Sequence, residues 1–204
     1  SEVRTYASRG VITDLRNEYQ VNYETQIPDG TLSAGIVTSD ERDYNSRAIV
    51  AGGTREFFSK NTVVAFGFAS GQDKILASGN SSFIETMQNQ TYSLSLSQIL
   101  SKNSLFQALY DFRVENGFIA SPYRKAKLIT GGTIAALSEN HPRTRNRHAI
   151  GFKYNYYSSS FRLSLATTYR LYRDSWDVFS HTVEERITRE FGRNFELATT
   201  LRLY

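Results

Sequence analysis

The 204 residues include no cysteine, one methionine, one tryptophan and only three prolines. Without cysteine there is no disulfide framework, no thiolate metal site and no thiol nucleophile. That absence also suits a chain that crosses an oxidising periplasm unfolded. Long apolar runs are missing too. The longest, Val63 to Ala69, is interrupted by Gly67, and a transmembrane helix needs roughly 18 or more. A helical membrane protein is therefore excluded. The start, Ser1-Glu2-Val3-Arg4, has no apolar leader and reads as mid-element, which points to a mature or trimmed chain. Charge of a single sign is lacking as well: 24 basic and 20 acidic residues leave a net charge of +4, spread along the chain. The densest basic stretch, Arg143, Arg145 and Arg147 with His141 and His148, falls inside a predicted loop, so nucleic acid is not an expected partner. Gly131-Gly132-Thr133 is an isolated loop element, not a phosphate cradle.

What the sequence has instead is aromatics, with 13 Tyr and 13 Phe, in a chain whose mean hydropathy is only −0.43. That is too aromatic and too patterned for disorder. The pattern has period two. Tyr19, Val21, Tyr23, Thr25 and Ile27 alternate with Glu18, Gln20, Asn22, Glu24 and Gln26, the signature of a strand with one greasy and one wet face. The same alternation recurs in Leu32–Thr38, about Asn45–Phe57, Thr62–Gly71, Thr91–Ser97, Phe106–Glu115, Ile150–Tyr156, Phe161–Leu171, about Ser180–Phe191 and Phe195–Leu203. The stripe Ser93, Ser95, Ser97 opposite Tyr92, Leu94, Leu96 is the cleanest case.

Most of these segments run about 10–14 residues, against the 5–6 usual in soluble sheets. Short turns at Pro28, Lys60, Lys102, Ser159 and Arg193 alternate with longer connections centred on Asp40, Ala77, Ala135 and Ser175. Gln72 to Glu85 reads as a polar loop, and Asn116 to Arg147 as the longest one. These features predict one domain over residues 1–204: an all-β, antiparallel, up-and-down transmembrane barrel of about 10–14 strands, with short periplasmic turns and long external loops. Closure follows because hydrocarbon cannot satisfy an open backbone edge. Tyr19, Tyr23, Phe58, Tyr110, Tyr156 and Phe191 sit near segment ends, where aromatic girdles belong. The competing reading is a soluble sandwich or lipocalin-like barrel, but segment length and the small neutral second face argue against it.

Several stretches carry a family resemblance. They are Leu32-Ser33-Ala34-Gly35, Tyr44-Asn45-Ser46-Arg47, Ser101-Lys102-Asn103-Ser104-Leu105 and Ser121-Pro122-Tyr123-Arg124. Later come Pro142 to Ala149, Tyr172-Arg173-Asp174-Ser175-Trp176 and Ser180-His181-Thr182. In order, they resemble a family of uncharacterised outer-membrane β-barrel proteins of Gram-negative bacteria, catalogued as a domain of unknown function. The resemblance implies fold and location, supplies no activity, and implies additional terminal strands.

Two groups of residues are candidates for function. The inward polar set is Asp111, Arg113, Glu115, Lys153, Arg162, Arg170, Glu184, Arg186, Glu196 and Arg202, whose opposed signs suit either a diffusion pore or a salt-bridged filling. The outer-rim set is Tyr123, Arg124, Arg145, Arg147, His148, Asp174, Trp176 and His181. It reads as a hydrogen-bonded belt or, alternatively, a ligand site; two histidines without a third ligand define no metal. Asp174 and His181 lie at the right end for a rim hydrolase, but no serine motif or carboxylate pair accompanies them. The expected function is a passive, porin-like channel for small polar solutes, not an enzyme and without cofactor. Its expected surroundings are outer-membrane lipid and lipopolysaccharide. The alternative is a non-conducting scaffold that anchors a periplasmic or surface protein.

Overall fold

The computed structural model describes residues 3–5, 15–130, 133–192 and 194–204. Ser1, Glu2, the Gly131-Gly132 pair and Arg193 of the last predicted turn lie outside them. Period-two segments become strands throughout: β1 (Val3–Thr5), β2 (Asn17–Ile27), β3 (Gly30–Asp40), β4 (Tyr44–Phe57), β5 (Thr62–Ala77), β6 (Asn80–Ser101), β7 (Ser104–Gly117), β8 (Lys125–Thr130), β9 (Thr133–Ser138), β10 (Thr144–Ser158), β11 (Leu163–Asp174), β12 (Phe179–Phe191) and β13 (Phe195–Leu203). No helix occurs among the described residues. Ten strands form one antiparallel sheet in the order β13-β12-β11-β10-β7-β6-β5-β4-β3-β2, and β1-β8-β9 form a separate small sheet. β2 and β13 are the edges of the large sheet, and no described ladder joins them.

The expected alternation of short and long connections does not hold. β3 and β4 are joined by residues 41–43, with Glu41 N–H donating to Tyr44 O at 2.8 Å. The predicted polar loop from Gln72 to Glu85 is instead two strand ends joined at Ser78-Gly79, with Gly79 at φ 86°. Here β5 and β6 are polar on both faces, which erases the period-two signal without ending the ladder. Residues 175–178 make another tight connection, closed by Asp174 N–H to Val178 O at 3.0 Å. Within the ten-stranded sheet the β7–β10 connection is the long one, and it contains the β8–β9 hairpin.

Register keeps the two faces separate across all ten strands. One row runs Leu32, Gly53, Phe66, Leu94, Tyr110, Ile150, Leu171, His181. The row behind it runs Ser33, Gly52, Gly67, Ser93, Asp111, Ala149, Tyr172, Ser180. The face with the large apolar side chains is the exposed one: Tyr19, Val21 and Tyr23 on β2 are 68%, 66% and 69% exposed, and Phe66 and Leu94 are just over half exposed. Among the described residues only two hydrophobic residues are buried, Ile75 and Ala149, and both lie on the polar face, as do the buried Ser39, Asp73, Glu115 and Asp174. The usual inside and outside are exchanged. Toward one edge the apolar face also carries charge, where Glu185 accepts from Thr167 at 3.1 Å and Arg189 lies over the Phe191 ring.

The long connection is held at Gly117, where φ is 123°. Gly117 N–H donates to Arg143 O at 2.8 Å and Phe118 N–H to Thr86 O at 2.9 Å. A Cβ at position 117 would lie 2.2 Å from Thr86 O, which is backbone and cannot swing away. Gly117→Ala therefore combines a left-handed penalty with a collision, and should destabilise the fold by about 2–3 kcal/mol. Gly79→Ala has open space around its Cβ and should cost only about 1–2 kcal/mol; unfolding midpoints of the two variants in denaturant check the order.

Candidate functional site

The polar face concentrates its chemistry where β7, β10 and β11 meet the long connection. Arg113 and Arg147 are directly opposed on neighbouring strands, an unfavourable pairing of like charges. Glu115 resolves it: its carboxylate lies 3.0 Å from Arg113 and 2.8 Å from Arg147, and the residue is only 3% exposed. The Arg113 and Arg147 Nε–H groups are buried without a partner among the described residues.

Asp174, 4% exposed, is the second hub. Its Oδ2 accepts from Arg145 Nε at 2.9 Å, Arg145 Nη2 at 2.5 Å and Tyr172 Oη at 2.7 Å. Its Oδ1 accepts the backbone N–H of Trp176 at 2.9 Å and of Val178 at 3.0 Å. One carboxylate thus orders the β11–β12 turn and fixes an arginine on β10. The Arg145 guanidinium lies 4.3 Å from the centroid of the Trp176 ring, His141 stacks on the same indole at 5.3 Å, and the indole N–H donates to Thr144 O at 2.9 Å.

The predicted rim set does not converge on one point. Arg145, Arg147, Asp174 and Trp176 belong to this polar-face cluster. His148 and His181 lie on the apolar face, each bonded through Nδ1 to a cross-strand tyrosine: Tyr110 at 2.8 Å and Tyr169 at 2.6 Å. His148 also stacks 4.6 Å from Phe112. Asp174 and His181 therefore point to opposite faces with different partners. Tyr123 sits elsewhere, clamping the long connection to two tight turns: its hydroxyl donates to Asp43 and accepts from Ser78 N–H at 2.7 Å. Partial removal from water raises the Tyr123 phenol's pKa, and the bond to Asp43 adds to the rise. Arg124, beside it, is exposed, its N–H donating to Ser121 O at 3.4 Å. Among the described residues no group of three or more His, Asp or Glu is placed to hold a metal ion.

Of the predicted inward set, Asp111, Arg113, Glu115, Lys153, Arg170, Glu184, Arg186, Glu196 and Arg202 all share the polar face. Arg162 does not. It occupies the β10–β11 turn at φ 47°, its guanidinium 3.3 Å from Gly192 O, because the strand begins two residues later than the alternation suggested. Asp73 is the residue sequence reading missed. It is 2% exposed and accepts from Ser46 at 2.6 Å and Asn89 at 2.8 Å. Continuing the alternation Gly67, Ala69, Gly71 by one more step would have found it.

A family model described as "Protein of unknown function (DUF3570)" matches residues 4–204. The chain belongs to this family. The family's description names no activity and no cellular location. No curated protein and no solved structure matches the chain.

In this DUF3570 chain, removing one partner of a buried ion pair strands the other, so Asp174→Ala should destabilise by about 3–5 kcal/mol. The Arg143–Glu85 pair is solvent-facing, with Arg143 64% exposed, and Glu85→Ala should cost under about 1 kcal/mol. Denaturant midpoints with unchanged slopes measure both.

Proposed function

We propose that this chain is an outer-membrane β-barrel of a Gram-negative bacterium, acting as a passive channel for small polar solutes. The observation that carries the reading is the exchange of inside and outside: charged residues are buried on one face while large aromatic and aliphatic residues are exposed on the other, across ten registered strands. An exposed apolar surface that continuous needs an apolar surrounding. Its height suits hydrocarbon. On β7 the apolar face runs from Phe106 to Val114, about 27–30 Å of strand, or about 20–23 Å of membrane at the usual tilt, against roughly 25 Å for such barrels. Beyond it, Ser70, Gln72 and Lys74 on β5 and Gln88 and Gln90 on β6 turn the same face polar, as headgroups and lipopolysaccharide require. The reading needs the free edges of β2 and β13 to be paired in the membrane. It assigns the polar face to a water-filled lumen and involves no catalysis.

The second reading, a barrel that anchors a periplasmic or surface protein without conducting, draws on the separate β1-β8-β9 sheet at one end. Planar-bilayer recording separates the two: reproducible ion-dependent steps support the channel, whereas a correctly folded but silent protein supports the scaffold. A chain that stays soluble and monomeric without detergent sinks both. Facing is tested separately. Phe66→Arg on the apolar face should destabilise the detergent-folded protein by about 2–4 kcal/mol if near mid-membrane, whereas Ser95→Arg on the polar face should be tolerated. Equal effects would reverse the assignment of faces.

A further inference from the structure

The charged residues at the end of the polar face are paired, but a group at its middle is not. Lys153 on β10 lies opposite Thr168 on β11, and Thr168 lies opposite Glu184 on β12. Arg170 follows Thr168 on the same face, and Arg186 is opposite Ala166, the preceding residue on that face. Lys153, Arg170 and Arg186 thus surround Thr168. Adjacent diagonal positions in a sheet are about 7–8 Å apart, within or close to one Debye length at physiological salt. All three cations are exposed, while Gly151, Ala166, Thr168 and Thr182 around them are half-buried. The nearest acid, Glu184, is already engaged: Arg202 Nε donates to its Oε2 at 2.5 Å, and Arg202 Nη2 also contacts it. No described acid forms an ion pair with Lys153, Arg170 or Arg186.

We propose that Lys153, Arg170 and Arg186 form a binding patch for small oxyanions, phosphate or carboxylate groups carried by polar solutes, on the wall of the channel. The proposal rests on the channel reading for how the solute arrives. Lys153 and Arg170 sit at adjacent diagonal positions and repel each other, and Arg186, diagonal to Thr168 from the next strand, adds a third positive charge on the same face. An oxyanion relieves that repulsion and supplies acceptors for the two guanidinium forks and the ammonium. Thr168 adds a hydroxyl at the centre. The wall of β3 to β6 carries Ser33, Gly52, Gly67, Ser93 and Ser95 on this face, small neutral residues that bring no competing charge. Charged side chains lining a pore are a general means of selecting ions of the opposite sign.

The test uses the detergent-refolded chain and inorganic phosphate, followed by calorimetry and by phosphorus NMR line width, alongside bilayer recording in a potassium chloride gradient. Saturable phosphate binding that weakens with added sodium chloride is expected. Arg170→Gln and Lys153→Gln should each raise the phosphate Kd by about tenfold, as loss of a charge-assisted contact implies. Glu184→Gln removes the one acid beside the patch and should lower the Kd several-fold. Non-saturable binding, or a Kd unmoved by Arg170→Gln and Lys153→Gln and not lowered by Glu184→Gln, overturns the patch. In bilayers, anion-selective steps reduced by phosphate support it. Conducting steps that are cation-selective and indifferent to phosphate reject the patch and leave the channel standing. Saturable phosphate binding by a silent protein rejects the channel and leaves the patch.

Discussion

Antiparallel registration without slippage is the constraint on which the rest of the structure depends. The side-chain period of a strand is two, so moving one strand by one residue against its neighbour sends its whole apolar set to the other face. Here the register is continuous from β2 to β13, with irregularities only near Leu76/Ala77 and Ile99/Ser101, at strand ends. One face therefore collects Tyr, Phe, Leu and Ile, and the other collects Ser, Gly, Asp and Arg. Among the described residues neither face has a second layer of strands to cover it, so the exposed apolar face is a property of the sheet as a whole.

The polar hubs follow from that registration. Bringing Arg113 opposite Arg147 is an electrostatic cost that the backbone ladder imposes. Glu115, one step along the same face, turns the conflict into a bridge between β7 and β10. Asp174 does the same between β10 and β11 and also ties down the β11–β12 turn. Buried charges of this kind contribute little net stability compared with apolar packing, but they penalise alternatives heavily, since any other register would strand them. They lie where the strands emerge toward the long connection, and this is where register most needs fixing.

Much of the fold was legible because period two survives in any single strand, as Tyr19/Val21/Tyr23 or Ser93/Ser95/Ser97 show without reference to neighbours. The face assignment of nine of the ten inward candidates follows from the same parity. What failed was the length of the connections. Residues 72–77 and 80–90 carry polar side chains on both faces, so alternation vanishes while backbone pairing continues, and a ladder has no signature in one strand alone. Asp73 was lost for that reason. The rim set was misjudged for another: His148 and His181 begin their segments beside loops in sequence, but parity turns them away from Asp174 and onto Tyr110 and Tyr169. Proximity along the chain gives height in the sheet, and only parity gives the face.

The sheet is also graded from one side to the other. At mid-height, β3 to β6 present no charge on either face: Ile36, Ile49, Phe66 and Leu94 on one, Gly52, Gly67, Ser93 and Ser95 on the other. From β10 to β13 both faces carry charge, with Lys153, Arg170, Glu184, Arg186 and Arg202 on the polar side and Glu185 and Arg189 on the apolar one. Small neutral residues let adjacent backbones approach and a sheet bend tightly, as glycines in strand interiors do. Long charged side chains instead fill space and hold a field. Were the sheet curled with its polar face inward, as proposed, a smooth wall would face one rich in cations, and the field would cross the space between them instead of cancelling within each strand pair. Net charge, +4 for the whole chain, gives no hint of this. The effective quantity is which charges remain unpaired and where: among the described residues at mid-height on the polar face, Lys153, Arg170 and Arg186 have no ion pair, and Asp111, held by Ser93, is an acid without one.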